Sequence, residues 1–411
     1  MISFTDMGKA SFPRMRRTER VSSGLDVLAA MRFAPLRGMS VGLICNPTSV
    51  DRTLRHAADL IHESRSIRLA ALFGPEHGIR GDAQYMAAVG DERDRRTGAK
   101  VYSLYGNRPD SLRPSEEMLL GLDALVFDIQ DIGTRYYTYQ ATMLFSMEVA
   151  ARAKIPFFVL DRPNPVGGLA VEGPPLRPGF ESFCGVYDVA VRHGLTVGEL
   201  ARLYRHELSL VLELTVIPCA GWRRGMWWRD TGLPWVFPSP NMPTPETALV
   251  YPGMCLLEGT NLSEGRGTTR PFHLFGAPWL DADRLVDALE KEKLPGVRFR
   301  PVRFVPTWDK HTGARCQGAE VHVTDPSRFR PFRTGIACVA AARSQDGERF
   351  RWRTEPYEFV RNIPAFDLLC GSARERKAIE SKQGWRSLLR AWGTEERSFM
   401  KRRARHLLYK P

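Results

Sequence analysis

The stretch MSVGLICNPTSVDRTLRHAADLIHESRSIRLAALFG, residues 39–74, decides the fold class. It begins with an apolar run at 39–46, which predicts a strand buried on both faces. Residues 52–63 carry apolar side chains at helical spacing, and a second apolar run follows at 67–77. Strand, amphipathic helix and strand in this order predict two parallel strands joined by a crossover helix.

The same alternation continues along the chain. Residues 123–131 and 155–164 predict two further strands, and 139–154 predicts the helix between them. We therefore expect a Rossmann-like, mostly parallel α/β sheet with helices on both faces. No G-x-G-x-x-G follows the first strand, and no G-x-x-x-x-G-K-[ST] occurs in the chain. With no ligand-spaced histidine or cysteine pairs either, we expect no cofactor and no metal.

A proline-rich stretch at 233–247 marks a predicted domain boundary. Beyond it, residues 282–294 read as a helix, 296–307 and 319–325 as strands, and 372–408 as a helical tail. The predicted organisation is a basic N-terminal arm at 1–23, a Rossmann-like catalytic domain at 24–248 and a smaller α+β domain at 249–411 that completes a cleft.

Composition excludes several classes of protein. The net charge is +13 and the pI is about 9.6, but arginines are spread along the chain without any nucleic-acid-binding motif, so we expect no nucleic-acid partner. No apolar run is long enough for a membrane span. The first residues show no export signal, which favours a cytoplasmic location. The seven cysteines are scattered and favour neither disulfides nor zinc.

Ionisable residues cluster in GPEHGIRGD, residues 74–82, directly after the second strand. Glu76 and His77 are suited to general acid–base catalysis. Burial would raise the pKa of Glu76 and Arg80 would lower it. The alternative is that Glu76 only pairs with His77 or Arg80 to hold the loop.

Polar residues follow all four predicted strands, and the carboxyl ends of parallel strands share one edge of a sheet. We expect one pocket there. Its expected residues are Asn46, Glu76, His77, Gln130, Asp131, Asp161, Arg162 and Asn164.

Two more segments combine carboxylates with aromatic or basic residues. Residues 128–139, DIQDIGTRYYTY, contain Asp128, Asp131 and three tyrosines, a combination suited to a carbohydrate; the alternative is a capping Asp128 and core tyrosines. In 258–272, EGTNLSEGRGTTRPF, glycines permit close backbone approach to a ligand and arginines suit a carboxylate; the alternative is a surface turn.

These motifs, with VLDRPNPVGG, PSPNMPT, FDLLCG and RRARHLLY, closely resemble the DUF1343 family of exo-β-N-acetylmuramidases, glycoside hydrolase family 171. The resemblance runs from about residue 24 to the C-terminus. It implies a Rossmann-like domain, a smaller second domain and a catalytic cleft between them. It also implies release of N-acetylmuramic acid from the non-reducing end of peptidoglycan fragments during cell-wall recycling, and it leaves a periplasmic or secreted location open.

The resemblance places the family's proposed catalytic glutamate on Glu76, which we expect to act as general acid, with His77 beside it. A second carboxylate is needed, and Asp131 and Glu258 are the leading candidates, followed by Asp128. Arg266 or Arg270 would bind the muramic lactyl carboxylate. The expected substrate-binding residues are Asn46, Arg80, Asp128, Gln130, Tyr137, Tyr139, Asn164, Asn241, Asn261, Glu264, Arg266 and Arg270.

Two other functions stay open from the residues alone. Cys45, with His56, His62 or His77 as base, or Ser263, could serve as the nucleophile of an esterase or amidase acting on cell-wall fragments. A buried strand-end thiol explains Cys45 equally well. A non-catalytic muropeptide-binding protein is the other alternative.

Overall fold

The computed structural model describes residues 20–76, 78–80, 93–106 and 108–411. A six-stranded parallel sheet forms the first half, with strand order β3-β2-β1-β4-β5-β6. Its strands are β1 Ser40–Cys45, β2 Arg68–Gly74, β3 Lys100–Ser103, β4 Ala124–Asp128, β5 Phe157–Leu160 and β6 Leu214–Ile217. This is the Rossmann order, so the predicted fold class is confirmed.

Helices cover the sheet because its central strands are apolar on both faces. Every residue of β4 and β5 is buried. The helices of this half are α1 Gly24–Ala30, α2 Ala57–Glu63, α3 Tyr139–Ala153, α4 Val197–Glu207, α5 Trp228–Thr231 and α6 Pro245–Met254. The predicted start of α2 was five residues too early, because the side chain of His56 accepts a hydrogen bond from the Ala58 amide and caps the helix at that point.

A smaller antiparallel sheet, in the order β7-β9-β8, forms the second half. Its strands are β7 Leu274–Ala277, β8 Val297–Phe304 and β9 Cys316–Val323, and its helices are α7 Ala282–Lys291, α8 Pro331–Gln345, α9 Ala365–Cys370, α10 Arg374–Glu380 and α11 Leu389–Arg403. The apolar face of α7 packs on β8 and β9.

The two halves share one continuous apolar core, which includes Phe127 and Phe157 of the parallel sheet and Phe275 and Phe299 of the antiparallel one. Helix α6 spans the predicted boundary at 248/249 and packs closely on α8. The division into domains at that position stays a prediction. Within the described residues, no helix is both long and apolar enough to cross a membrane.

Candidate active site

Glu76 lies two residues beyond the end of β2, where three loops meet. Its Oε1 accepts a 3.2 Å hydrogen bond from the Tyr105 hydroxyl, in the loop after β3. Its Oε2 lies 3.4 Å from the hydroxyl of Thr138, the residue before α3. Burial and the charge of Glu76 raise the pKa of Tyr105, so its hydroxyl stays a donor. The carboxylate is half-buried and held at the edge of the sheet. His77 and Asp82, also singled out in the sequence, lie outside the described residues.

Arg80 has a different role from the one expected. Its guanidinium donates to Asp94 at 2.8 and 3.1 Å and to Asp59 at 2.8 Å. Burial opposes ionisation of Asp94, but hydrogen bonds from Arg80 and Thr97 hold its pKa well below the usual range. Arg80 therefore anchors the loop after β2 to α2 and to the segment before β3. The expectation that it binds substrate stays a prediction.

Asp128, at the end of β4, forms a buried ion pair with Arg162, which follows β5. The guanidinium donates to both carboxylate oxygens, at 2.6 and 2.9 Å, and Asp128 is fully buried. The pair leaves no carboxylate oxygen open to a ligand. Asp128 thus has a structural partner that the sequence did not indicate, and its expected part in substrate binding stays a prediction.

Buried polar side chains follow β1 and β4 where the two strands adjoin. Asn46 Oδ1 accepts hydrogen bonds from Thr48, and Gln130 Nε2 donates to the carbonyls of Asp131 and Pro163. Among the described residues, Asn46 Nδ2, Gln130 Oε1 and Asp131 Oδ1 have no partner at normal hydrogen-bond geometry. A small cavity of about 20 Å³ lies beside this cluster, lined in part by Thr48, Gln130 and Arg162.

Asp131 is buried, and burial raises its pKa to about 7 although the Gly133 amide donates to Oδ2 at 2.6 Å. The Nε2 atom of His193 lies 3.8 Å from the same oxygen. Burial lowers the pKa of His193 to about 3, so this histidine is neutral at pH 7 and does not form an ion pair with Asp131.

Tyrosines line the region between the parallel sheet and α6. The ring of Tyr137 makes edge contacts with Tyr139 and with Tyr251 of α6, at centroid distances of 5.1 and 5.6 Å. The hydroxyls of Tyr139 and Tyr136 donate to the carbonyls of Pro238 and Pro252. After burial, the charge of Glu76 contributes to raising the pKa of Tyr137 and of Tyr139. The charge of Glu76 thus acts on both residues, and all three tyrosines, 136, 137 and 139, are buried in the core.

Glu258 lies in the short 3-10 helix that follows α6, and both of its carboxylate oxygens accept hydrogen bonds. Oε1 accepts a 2.5 Å hydrogen bond from Arg266, and Oε2 accepts one of 2.8 Å from the Tyr357 hydroxyl. Burial opposes ionisation, but Arg266 lowers the pKa of Glu258. Arg266 also pairs with Glu264 at 3.1 Å, and Lys310 pairs with Glu264 at 2.9 Å. In this network the carboxylates of Glu258 and Glu264 are paired with the cations of Arg266 and Lys310.

Glu358, which the sequence reasoning missed, is a half-buried carboxyl group on which the charges of this region act. Burial is the main cause that raises its pKa to about 7, and the charges of Glu76 and then Glu258 add to it. The segment EPYEFV, 355–360, contains no turn signal or catalytic motif that would have pointed to it.

Several side chains that were expected to bind ligand form hydrogen bonds or ion pairs within the protein. Asn164 bonds the Leu195 carbonyl and the Val166 amide, and Asn261 bonds the backbone of 349 and 351. Arg270 pairs with Glu320 on β9 at 3.3 Å. Their expected part in ligand binding stays a prediction. For Asn241, which is half-buried, the structure shows no side-chain hydrogen bond.

Two glycines of 258–272 are required for packing, and the expected close approach of a ligand to this segment stays a prediction. Gly267 has φ +73°, and a Cβ there would lie 2.7 Å from the backbone of Trp308. At Gly259 a Cβ would lie 2.5 Å from the backbone of Phe366. Glycine is required at both positions because neighbouring backbone comes so close.

The proposed nucleophiles of an esterase or amidase are not activated. Cys45 is fully buried, and burial raises its pKa well above the usual value, so it is not a thiolate. Ser263 is buried and its hydroxyl accepts from the Gly265 amide at 3.2 Å. Among the described residues, no group of three or more His, Cys, Asp or Glu could hold a metal.

Known proteins resemble this chain over nearly its whole length. Residues 41–246 match the N-terminal family model of exo-β-N-acetylmuramidase NamZ, and 249–409 match its C-terminal model. The chain is 44% identical to the peptidoglycan β-N-acetylmuramidase NamZ of Bacillus subtilis (strain 168), over 95% of this chain and 92% of that protein.

Two crystal structures of DUF1343 family proteins from Bacteroides fragilis NCTC 9343 share the fold. One has a TM-score of 0.88 at 36% identity and covers 96% of this chain and 100% of its own. The other has a TM-score of 0.76 at 28% identity and covers 95% of this chain and 99% of its own.

Proposed function

Because the chain belongs to the exo-β-N-acetylmuramidase NamZ family, we propose that it removes N-acetylmuramic acid from the non-reducing ends of peptidoglycan fragments. It is a glycosidase. The observation in the structure that supports this most strongly is the carboxylate of Glu76 at the edge of the parallel sheet, oriented by the hydroxyls of Tyr105 and Thr138. Enzymatic glycoside hydrolysis usually depends on paired carboxyl groups that flank the scissile bond.

Glu76 is the proposed general acid/base residue. It is half-buried at the sheet edge, and the hydroxyls of Tyr105 and Thr138 orient its carboxylate. Positioning of this kind fixes the carboxylate relative to a bound sugar, which is a prerequisite for efficient proton transfer. The rings of Tyr137 and Tyr139 are buried against each other, so they are proposed to support the site from the core.

Asp131 and Glu258, expected as the second carboxylate, are proposed to act differently. Both oxygens of Glu258 already accept hydrogen bonds, from Arg266 and Tyr357, so its proposed role is to fix those two groups. Asp131 is buried beneath the tyrosines, and one of its oxygens lacks a partner. Asp131 is therefore a proposed polar support for the site.

The muramic lactyl group is a carboxylate that N-acetylglucosamine lacks, and an arginine is its natural partner. Arg266 already lies against Glu258 and Glu264. Arg353 stacks on the ring of Tyr357 at 4.9 Å and acts electrostatically on Glu358. In the described part of the chain no carboxylate pairs with Arg353, which makes it the better candidate for the lactyl group.

Aryl glycosides test the proposal. The wild-type protein should release nitrophenol from 4-nitrophenyl β-N-acetylmuramide and much less from the corresponding N-acetylglucosaminide. Since acid–base catalysis typically contributes about 10²- to 10⁴-fold, Glu76→Gln should lose a large part of that rate. Glu355→Gln, an exposed carboxylate elsewhere in the chain, is the matched control. No release by the wild-type protein, or full activity in Glu76→Gln, would contradict the proposal.

A further inference from the structure

We propose that a basic cavity at the carboxyl end of α4 binds a phosphate group. The cavity lies apart from Glu76, so this inference does not rest on the proposed glycosidase function. Its basic residues come from two segments that are distant in the chain, one at the end of α4 and one after α11.

The cavity has a volume of about 510 Å³. Pockets for small ligands usually measure about 300–1,000 Å³, so this one is large enough for a small organic molecule. Five of the residues in its wall are basic: Arg202, Arg205, His206, Arg405 and His406.

The cavity lies at the edge of the parallel sheet opposite to Glu76. Helix α4 begins beside the carboxyl end of β5, where the Thr196 hydroxyl donates to Asp161 at 2.7 Å. The chain then enters β6, which is parallel to β5, so the last turn of α4 lies at the amino edge of the sheet. Glu76 instead follows the carboxyl end of β2. The cavity is therefore a second site, separate from the first.

Basic side chains of two elements meet around the cavity. Arg202, Arg205 and His206 belong to α4, and Arg405 and His406 belong to the short 3-10 helix that follows α11. The ring centroids of His206 and His406 lie 5.2 Å apart. The dipole of α4 favours cations at its own carboxyl end, but it does not account for basic residues that a second element brings there.

Three arginines of this cavity have no counter-charge. Within the described part of the chain, no carboxylate pairs with Arg202, Arg205 or Arg405. The nearby carboxylate of Glu207 already pairs with Arg402 at 3.2 Å. Arg205 and Arg405 are exposed, so their guanidinium groups can turn toward a ligand. A cavity lined by charges of one sign concentrates ligands of the opposite sign.

His406 adds a titratable group to the cavity wall. Its side chain is buried, and its Nε2 lies 4.0 Å from the carboxylate of Glu207. Burial lowers the pKa of His406, and four neighbouring basic groups lower it further: His206, Arg202, Arg405 and Arg402. An anion bound in the cavity would offset these positive charges.

A phosphate group suits this arrangement better than a single carboxylate. It carries about 1.5 to 2 negative charges at pH 7 and offers three acceptor oxygens. Arginine binds phosphate through paired N–H donors, and the hydroxyl of Ser209 and the two imidazoles can donate further hydrogen bonds. The remaining volume, with Leu210 in its wall, has room for an organic group attached to the phosphate.

Isothermal titration calorimetry at pH 7 and constant ionic strength tests the site with glucose 6-phosphate, inorganic phosphate and glucose. Glucose 6-phosphate should bind saturably, and glucose should not bind. Loss of a charge-assisted hydrogen bond typically weakens binding by about tenfold or more, so Arg205→Ala and Arg405→Ala should each show such a loss. Arg229→Ala, which removes an exposed arginine outside the cavity, is the matched control and should bind as the wild type does.

Two comparisons complete the test. Equal affinity for inorganic phosphate and glucose 6-phosphate would assign the site to free phosphate, and weaker binding of inorganic phosphate would assign it to a phosphorylated molecule. Bound phosphate should also raise the pKa of His406 in an NMR titration, because a nearby anion favours the charged imidazole.

Three results would overturn the proposal. One is the absence of saturable binding for both phosphate compounds. Another is an affinity that stays at the wild-type value in both Arg205→Ala and Arg405→Ala. The third is binding of a duplex DNA oligonucleotide without binding of either phosphate compound, which would assign the basic residues to a polymer-binding surface.

Discussion

Replacing Asp128 by asparagine should destabilise the fold without removing a catalytic group. The change leaves the guanidinium of Arg162, which is 6% exposed, without its counter-charge. Removing one partner of a buried ion pair costs about 3–5 kcal/mol. Unfolding entropy near 60 °C is about 2.1 cal/mol/K per residue, or roughly 0.9 kcal/mol/K for this chain. The melting temperature should therefore fall by about 3–6 °C.

Thermal denaturation followed by circular dichroism at pH 7 measures this shift. Glu116→Gln is the matched control, because Glu116 pairs with Arg152 at 3.1 Å on the surface and exposed pairs contribute about 0–1 kcal/mol. A second substitution, Arg162→Met in the Asp128→Asn background, should recover part of the loss because it removes the uncompensated charge. An unchanged melting temperature with a large fall in kcat would refute the structural role of Asp128.

Three further outcomes are expected. Cys45→Ser should keep kcat within about twofold of wild type, and iodoacetamide should not inhibit the native protein, since a buried thiol with a raised pKa is unreactive; inactivation would revive the thiol mechanism. Burial raises the folded-state pKa of Asp131 to about 7, so folding favours its protonated form, and its contribution to stability falls as pH rises from about 4 through 7. The melting temperature of Asp131→Asn, compared with wild type at the same pH, should therefore be more favourable at pH 8 than at pH 5. The same difference from wild type at both pH values would contradict this. Arg353→Ala should lower kcat/KM on muramides far more than on glucosaminides, while Arg266→Ala should lower both and the melting temperature as well; equal losses on the two sugars in Arg353→Ala would remove it from lactyl recognition.

The sheet could be predicted because its central strands carry a strong local signal. Segments such as 41–45 and 124–127 carry no charged or polar side chain, and a parallel sheet covered on both faces buries them. The edge strands β3 and β6 went unpredicted because both are short and mostly half-buried, so they lack that pattern. Helices α6 and α8 also went unpredicted, because they pack through a close backbone contact between Gly253 and Gly335 that spacing does not show.

The candidate site could be predicted only in part, because ionisable residues look alike before their partners are known. Glu76 stood out by its place after a strand. Arg80 and Asp128 had equally suggestive positions, yet carboxylates and guanidiniums distant in sequence neutralise them. Glu358 gave no signal in the sequence, because the charges that raise its pKa, those of Glu76 and Glu258, lie more than 90 residues away along the chain.

The central claim is that Glu76 carries out hydrolysis at a terminal muramic acid. Defined fragments with either sugar at the non-reducing end, analysed by mass spectrometry, test it most directly. The wild-type protein should release free N-acetylmuramic acid only from fragments that begin with it, and Glu76→Gln, with an unchanged melting temperature, should release it at least about 100-fold more slowly. Release from fragments that begin with N-acetylglucosamine, or a Glu76→Gln rate within tenfold of wild type, would contradict the account.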